Sequence, residues 1–236
     1  MKLDSSKVAV VTGGASGLGE ATARGLASKG VKVGIFDMND ERGKEVASEI
    51  GGVFAKVNVA DNESVENGFE AVRRINGQER ILVNCAGIGG AEKTVSRNKQ
   101  NGSIVTHDIG RYVRIINVNL IGSFLCASIS AAGMMTLEPL KPDGERGVVI
   151  NTASVAAQDG QIGQVAYSAS KGGILAMALP MARDLAREGI RVNTILPGFY
   201  ETPIYDQMND NVKDALRAHL QFPNRFGDAS EYSQVV

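Results

Sequence analysis

The sequence predicts an α/β protein built on a doubly wound parallel sheet with helices on both faces, and three observations carry that expectation. Short apolar runs of strand length (KVAVVT, VKVGIFD, RILVN, GERGVVI and IRVNTIL) recur along the chain, separated by amphipathic segments of helix length. Continuous apolarity, as opposed to strict alternation, is the pattern of strands covered on both faces, the normal condition in a parallel sheet. The first run passes directly into a glycine-rich turn and an amphipathic helix, the unit from which doubly wound sheets are built. With 236 residues and no internal duplication, residues 1–236 are expected to form a single domain around one sizeable core.

Composition narrows the partners. A net charge of -1 gives no general reason to expect nucleic acid or an anionic membrane surface. Cys85 and Cys126 are too few for a disulfide framework and do not form a C-x-x-C pair, which fits a reducing compartment. The amino terminus MKLDSSK has no apolar signal region and no stretch approaches 18 uninterrupted apolar residues, so a cytoplasmic protein is expected. His107 and His219 stand apart from each other and from any cluster of ligand spacing, so no metal is expected.

Lys7 to Thr12 reads as the first strand, followed by GGASGLGEATARGLASKG. Gly13, Gly17 and Gly19 would let backbone approach a pyrophosphate while helix amides stabilise its charge. Their spacing is G-x-x-x-G-x-G, unlike the commoner G-x-G-x-x-G, and glycines in a turn also serve purely structural ends. Val31 to Asp37 is the second strand. Asp37 at its end could accept hydrogen bonds from an adenosine ribose and would repel a 2′-phosphate, favouring NAD over NADP; Asp40 is expected as the cap of the next helix.

A helix from about Asp40 to Ile50, a strand from Val53 to Val57 and a helix from about Asn62 to Asn76 continue the alternation. Arg80 to Asn84 is the fourth strand, ending in NCAG, where Asn84, Ala86 and Gly87 are expected to face a cofactor and Cys85 to be a small buried residue. Gly89 to Thr106 is polar, without a period, and too long for an ordinary connection, hence a functional or mobile loop. A long helix from about Asp108 to Ala132 contains Asn119, which is mildly unfavourable in mid-helix and invites a reason. The fifth strand leads to Ser154, and the next helix runs to about Glu188 through Pro180. Ile190 to Leu196 is the sixth strand, and Pro197 and Gly198 open a loop and short helix able to cover a site.

The chemistry concentrates between Asn151 and Lys171. Ser154 follows a buried strand, and Tyr167 and Lys171 lie four residues apart, on one face of a helix. A neighbouring ammonium favours a phenolate, so Lys171 is expected to lower the Tyr167 pKa and make it a candidate acid or base, with the Ser154 hydroxyl polarising a carbonyl held against it. An isolated Y-x-x-x-K is more often an exposed polar helix face; the rest of the chain argues otherwise.

T-G-G-A-S-G-L-G at 12 to 19, N-C-A-G at 84 to 87, Asn119, Ser154, Y-S-A-S-K at 167 to 171 and P-G at 197 to 198 together resemble the short-chain dehydrogenase/reductase family across essentially the whole chain. The resemblance implies a Rossmann-like fold, a catalytic set of Asn119, Ser154, Tyr167 and Lys171, and a cofactor cradle that includes Ser16 and Leu18 beside the glycines. INTASVAAQDGQIGQVAYSASKGGILAMALPMARDLA and QFPNRFGD are similar to the type II 3-hydroxyacyl-CoA dehydrogenases. That similarity implies an acyl-CoA substrate approached by Gln161, a nicotinamide approached by Thr202, and a homotetramer, with Asp37 favouring NAD as the cofactor. Asn58 and Val59 stand where the family usually has an Asp-Val pair against adenine, and a final strand and tail would be expected beyond Val236. Hydroxysteroid or other alcohol dehydrogenases, 3-oxoacyl-acyl-carrier-protein reductases, and a dinucleotide-binding scaffold without activity are the competing functions.

Overall fold

The computed structural model describes residues 1–203, 216–218 and 220–236. The short helix expected to cover the site falls largely on residues outside these, as does His219. Six parallel strands form one sheet in the order β3-β2-β1-β4-β7-β8: β1 Val8–Thr12, β2 Lys32–Asp37, β3 Val53–Lys56, β4 Ile81–Asn84, β7 Gly147–Thr152 and β8 Ile190–Ile195. The helices are α1 Gly17–Ser28, α2 Asp40–Ile50, α3 Asn62–Asn76, α4 Ile109–Ile116, α5 Gly122–Met134, α6 Val165–Leu185 and α7 Ala229–Ser233. The order reverses between β1 and β4, which leaves a crevice at their carboxyl ends.

Neighbouring residues of one strand feed two separate cores, as double-sided burial requires. Val10 packs with Phe36, Phe69, Leu82, Met134 and Val149 on one face, and Val11 with Leu26, Ile35, Val46, Val83 and Ile150 on the other. Local signals set the helix ends. Asn39, and not the expected Asp40, caps α2 by accepting from Arg42 N, because Asp37 holds the Asn39 amide and fixes the turn. Asp61 caps α3 through Ser64 N, a contact worth about 1 kcal/mol.

Two further expectations change. The segment from Gly89 to Thr106 is not without regular structure: β5 Val95–Arg97 and β6 Ile104–Thr106 form an antiparallel hairpin. The strands are short and exposed throughout, so they carry no apolar alternation by which sequence could register them. The long helix is interrupted as well. Between α4 and α5, Asn117–Ile121 forms a π turn, where the Gly122 amide donates to the Asn117 carbonyl. The whole stretch Ile109–Met134 is 26 residues, long and apolar enough by composition to cross a membrane, but one face packs inward through Ile115, Cys126, Ala127, Ala131 and Met134. Pro180 does not break α6; it lies on its exposed face.

Among the described residues, the deepest charge outside the crevice is Glu79, fully buried. Arg73 reaches it with two hydrogen bonds of 3.0 and 2.7 Å, and Ser130 Oγ donates to it at 2.9 Å. Removing the partner of a buried carboxylate is costly, so Arg73→Ala is expected to destabilise the protein by about 3 kcal/mol, measurable by urea unfolding. A loss below about 1 kcal/mol would mean that the carboxylate finds water instead.

Candidate active site

Strand register brings the site together. Thr12 pairs with Asn84, and Asn84 with Asn151, so the parallel strands end level with one another. Thr12 Oγ1 donates to Asn84 Oδ1 at 3.4 Å, and Asn84 Nδ2 donates to Asn151 Oδ1 and to Ser123 O, both at 3.0 Å. Asn84 is therefore a buried tie between strands, and it does not line the crevice as expected. Its neighbours do: Ala86 and Gly87 form the wall, and Thr12 Oγ1 holds Ala86 N at 3.1 Å.

The crevice has a volume of about 650 Å³. Its amino-terminal half is shaped by the glycine turn. Gly13 and Gly14 donate their amides to Phe36 O, and Ala15 donates to Asp37 Oδ2, which ties the turn to the end of β2. Gly13 and Gly17 adopt positive φ values of 66° and 53°. A Cβ on Gly13 would meet Ala86 backbone at 2.8 Å, and one on Gly19 would collide with the Gly13 carbonyl. Ser16 takes the N-cap position of α1 without a side-chain cap, leaving the first amides of the helix to the cavity. Ser16, Gly17, Leu18 and Gly19 line the wall, as do Asp37, Asn58, Val59, Pro197, Gly198 and Thr202.

The other half carries the chemistry. Ser154 lies just past the end of β7, and its Oγ accepts from Ala156 N at 3.1 Å, leaving its proton to point elsewhere. The Ser154 hydroxyl lies near enough to the Tyr167 hydroxyl to stabilise its phenolate. Lys171 lies over the Tyr167 ring, with Nζ 5.7 Å from its centre, and donates to Thr152 O at 2.7 Å. Gly87 makes the room: a Cβ there would come within 3.3 Å of Asn119 Oδ1 and 3.6 Å of Lys171 Nζ.

Electrostatics differ from the expectation at one point. In the protein alone the Tyr167 phenol is raised above its ordinary pKa, because burial outweighs the hydrogen bond from Ser154, and Lys171 does not lower it. Burial acts on Lys171 too and pushes it down to about 8. Cys85 lines the crevice, but burial raises its thiol, which is consistent with an inert residue.

Asn119 is fully buried behind the wall, where its amide is committed: Oδ1 accepts from Ile88 N at 2.8 Å, and Nδ2 donates to Ile88 O and to Ser170 Oγ, both at 3.0 Å. Ser170 Oγ in turn donates to Tyr167 O at 2.7 Å. Asn119 thus latches the loop after β4 to the helix that carries Tyr167 and Lys171. The reason for an asparagine in mid-helix is this clamp at a π turn. Gln161 is exposed on the turn before α6 and does not line the crevice. Sequence reading missed Thr152, whose carbonyl holds Lys171, and the wall residues Met38, Ile88, Arg114, Asn117 and Tyr200.

A parallel sheet with a glycine-turn cradle at its switch point and a Ser-Tyr-Lys set across the same crevice defines a dinucleotide-binding oxidoreductase. The short chain dehydrogenase family model matches residues 7–213, and the chain belongs to that family. It is 45% identical over 231 residues to a 3-hydroxyacyl-CoA dehydrogenase type-2 of Drosophila melanogaster, covering 97% of this chain and 89% of that one. It is 44% identical to the Homo sapiens protein of the same name, covering 97% and 87%. A crystal structure of 3-hydroxyacyl-CoA dehydrogenase type-2 from Mycobacterium avium superposes with a TM-score of 0.89 at 38% identity, covering 100% of this chain and 89% of that one.

Proposed function

We propose that this protein is an NAD-dependent dehydrogenase that interconverts the secondary alcohol of a 3-hydroxyacyl-CoA and the corresponding ketone. The observation that carries the reading is Ser154 beside Tyr167, with buried Lys171 against the ring, in the crevice that Asp37 also lines. The similarity to proteins named for 3-hydroxyacyl-CoA supports the substrate class. A bound nicotinamide would supply the hydride acceptor. Tyr167 takes the hydroxyl proton, Ser154 donates to the substrate oxygen, and the remaining Lys171 donors would hold the ribose of a bound nicotinamide cofactor. Formation of NADH from NAD and 3-hydroxybutyryl-CoA, followed by absorbance, tests the reading. Turnover confined to a hydroxysteroid or a carrier-protein thioester would move the substrate assignment, and cofactor binding with no turnover of any alcohol would leave a scaffold.

Asp37 sets the expected cofactor preference. Its carboxylate is held by Ala15 N and Asn39 N facing the crevice, where a 2′-phosphate would meet like charge. NAD is expected to exceed NADP in kcat/KM by about 100-fold, and Asp37→Ala to narrow the ratio mainly by losing NAD. Equal kcat/KM values for the two cofactors in the wild-type protein would refute the assignment.

The hairpin does not line the crevice, yet Glu92 N donates to Gly163 O at 2.9 Å and ties its base to the segment between Ser154 and Tyr167. Lys93, Arg97 and Lys99 are exposed on it. Replacing all three by Gln is expected to raise KM for acyl-CoA about fivefold at low salt and to leave an uncharged alcohol unaffected. Equal effects on both substrates would make the hairpin an ordinary surface feature. Self-association, as a tetramer, belongs to the same proposal: Ile109, Val113, Ile121 and Phe124 expose apolar side chains along α4, the π turn and the start of α5. Light scattering of the wild type and of Phe124→Glu measures it.

A further inference from the structure

We propose that Tyr232 is a positioning residue for the reaction centre, fixing through Thr152 the carbonyl that holds Lys171. This inference rests on the dehydrogenase reading above. Tyr232 lies on α7, sixty-one positions after Lys171 in sequence, and is almost completely buried. Its hydroxyl is 2.7 Å from Thr152 Oγ1, and the carbonyl of the same Thr152 accepts from Lys171 Nζ at 2.7 Å. Thr152 Oγ1 also donates to Cys85 Sγ at 3.5 Å. With the threonine proton turned toward sulfur, the phenol is the donor to Thr152. One hydroxyl therefore locks the last residue of β7 to the loop after β4 and to α7, two residues before Ser154.

The phenol is itself firmly held. Asp228 and Glu231 form a reciprocal cap at the start of α7, and Arg225 pairs with Glu231 at 2.8 Å. α7 lies on α1, the helix that begins at the glycine turn, so closely that a Cβ on Gly25 would come within 3.2 Å of Ser233 Oγ. The Tyr232 ring meets Tyr200 edge to face at 6.2 Å, and Tyr200 lines the crevice. Burial raises the Tyr232 phenol well above its ordinary range, so it is a neutral, permanent donor. A phenylalanine would fill the same volume and keep the Tyr200 contact; only the hydroxyl reaches Thr152. The titratable groups near Lys171 are Tyr167 on its own helix and Cys85 after β4, with Tyr232 behind Thr152.

The test compares Tyr232→Phe, Thr152→Val, the double variant and Thr152→Ser in the full chain. NADH affinity is read by fluorescence titration, and kcat by alcohol oxidation. Tyr232→Phe and Thr152→Val are each expected to weaken NADH binding about fivefold, the double variant no more than either, and Thr152→Ser to behave as wild type. As the ammonium loses its fixed direction in the crevice, kcat for alcohol oxidation should fall about threefold alongside. A merely structural tyrosine would lower Tm and leave both readouts unmoved. Wild-type NADH affinity in Tyr232→Phe, or effects that multiply in the double variant, would overturn the proposal. If Tyr232→Phe does not fold, Thr152→Val and its serine rescue decide. A wild-type protein that binds NADH but oxidises no alcohol sinks the dehydrogenase reading and leaves the titrations to judge Tyr232; one that binds no NADH sinks both.

Discussion

Replacing Tyr167 by Phe is expected to lower turnover by at least about two orders of magnitude while NADH binding stays within about twofold of wild type. The substitution deletes the exchangeable proton and leaves the ring under Lys171 and its place on α6. Burial raises the phenol in the protein alone, and Ser154 only partly offsets this. The activity of the wild type should therefore climb with pH in the direction of alcohol oxidation, since the phenolate is the base. A Tyr167→Phe protein with near-normal turnover would remove the phenol from the reaction, whatever its affinity for cofactor.

Replacing Lys171 by Met is expected to cut turnover and NADH affinity together, and to change how stability depends on pH. Lys171 is pushed from 10.5 down to about 8 by burial. Below pH 8 the wild type keeps its ammonium in both states, and the folded state carries the whole cost of burying it. Between about 8 and 10.5 the unfolded chain still binds a proton that the folded one has released, so stability rises with pH through that window. At about 1.4 kcal/mol per unit, the wild type should gain about 3 kcal/mol on the Met variant between pH 7.5 and 10.5. Urea unfolding of both proteins across that range checks the sign, and parallel curves would show that Lys171 is better hydrated than its surroundings imply.

Much of this architecture was legible because the cause was local. Strands such as VAVVT are buried on both faces and cannot hide in sequence, and the turn from Gly13 to Gly19 needs conformations and clearances that only glycine supplies. Ser154, Tyr167 and Lys171 were legible for a similar reason: one strand end and one helical turn suffice to bring them together. What depends on direction in space was not. Asn84 and Ala86 are two residues apart, yet one ties strands and the other faces the crevice. Gln161 lies in the right loop but is exposed and not part of the cavity wall. The balance at Tyr167 is a competition between burial and a hydrogen bond, and spacing reports neither. Thr152 and Tyr232 meet across 80 positions of chain, and no periodicity links them.

The π turn at Asn117–Ile121 has a consequence for angle. A helix advances about 100° per residue, so one surplus residue rotates everything after it by nearly a third of a turn relative to an uninterrupted helix. α4 and α5 are thus two rotors set out of phase, with Asn119 at the offset. A single deletion there should return the rotors to phase and swing Cys126, Ala127 and Met134 off their inward bearing. The helix would remain a helix and lose the address of its own buried face.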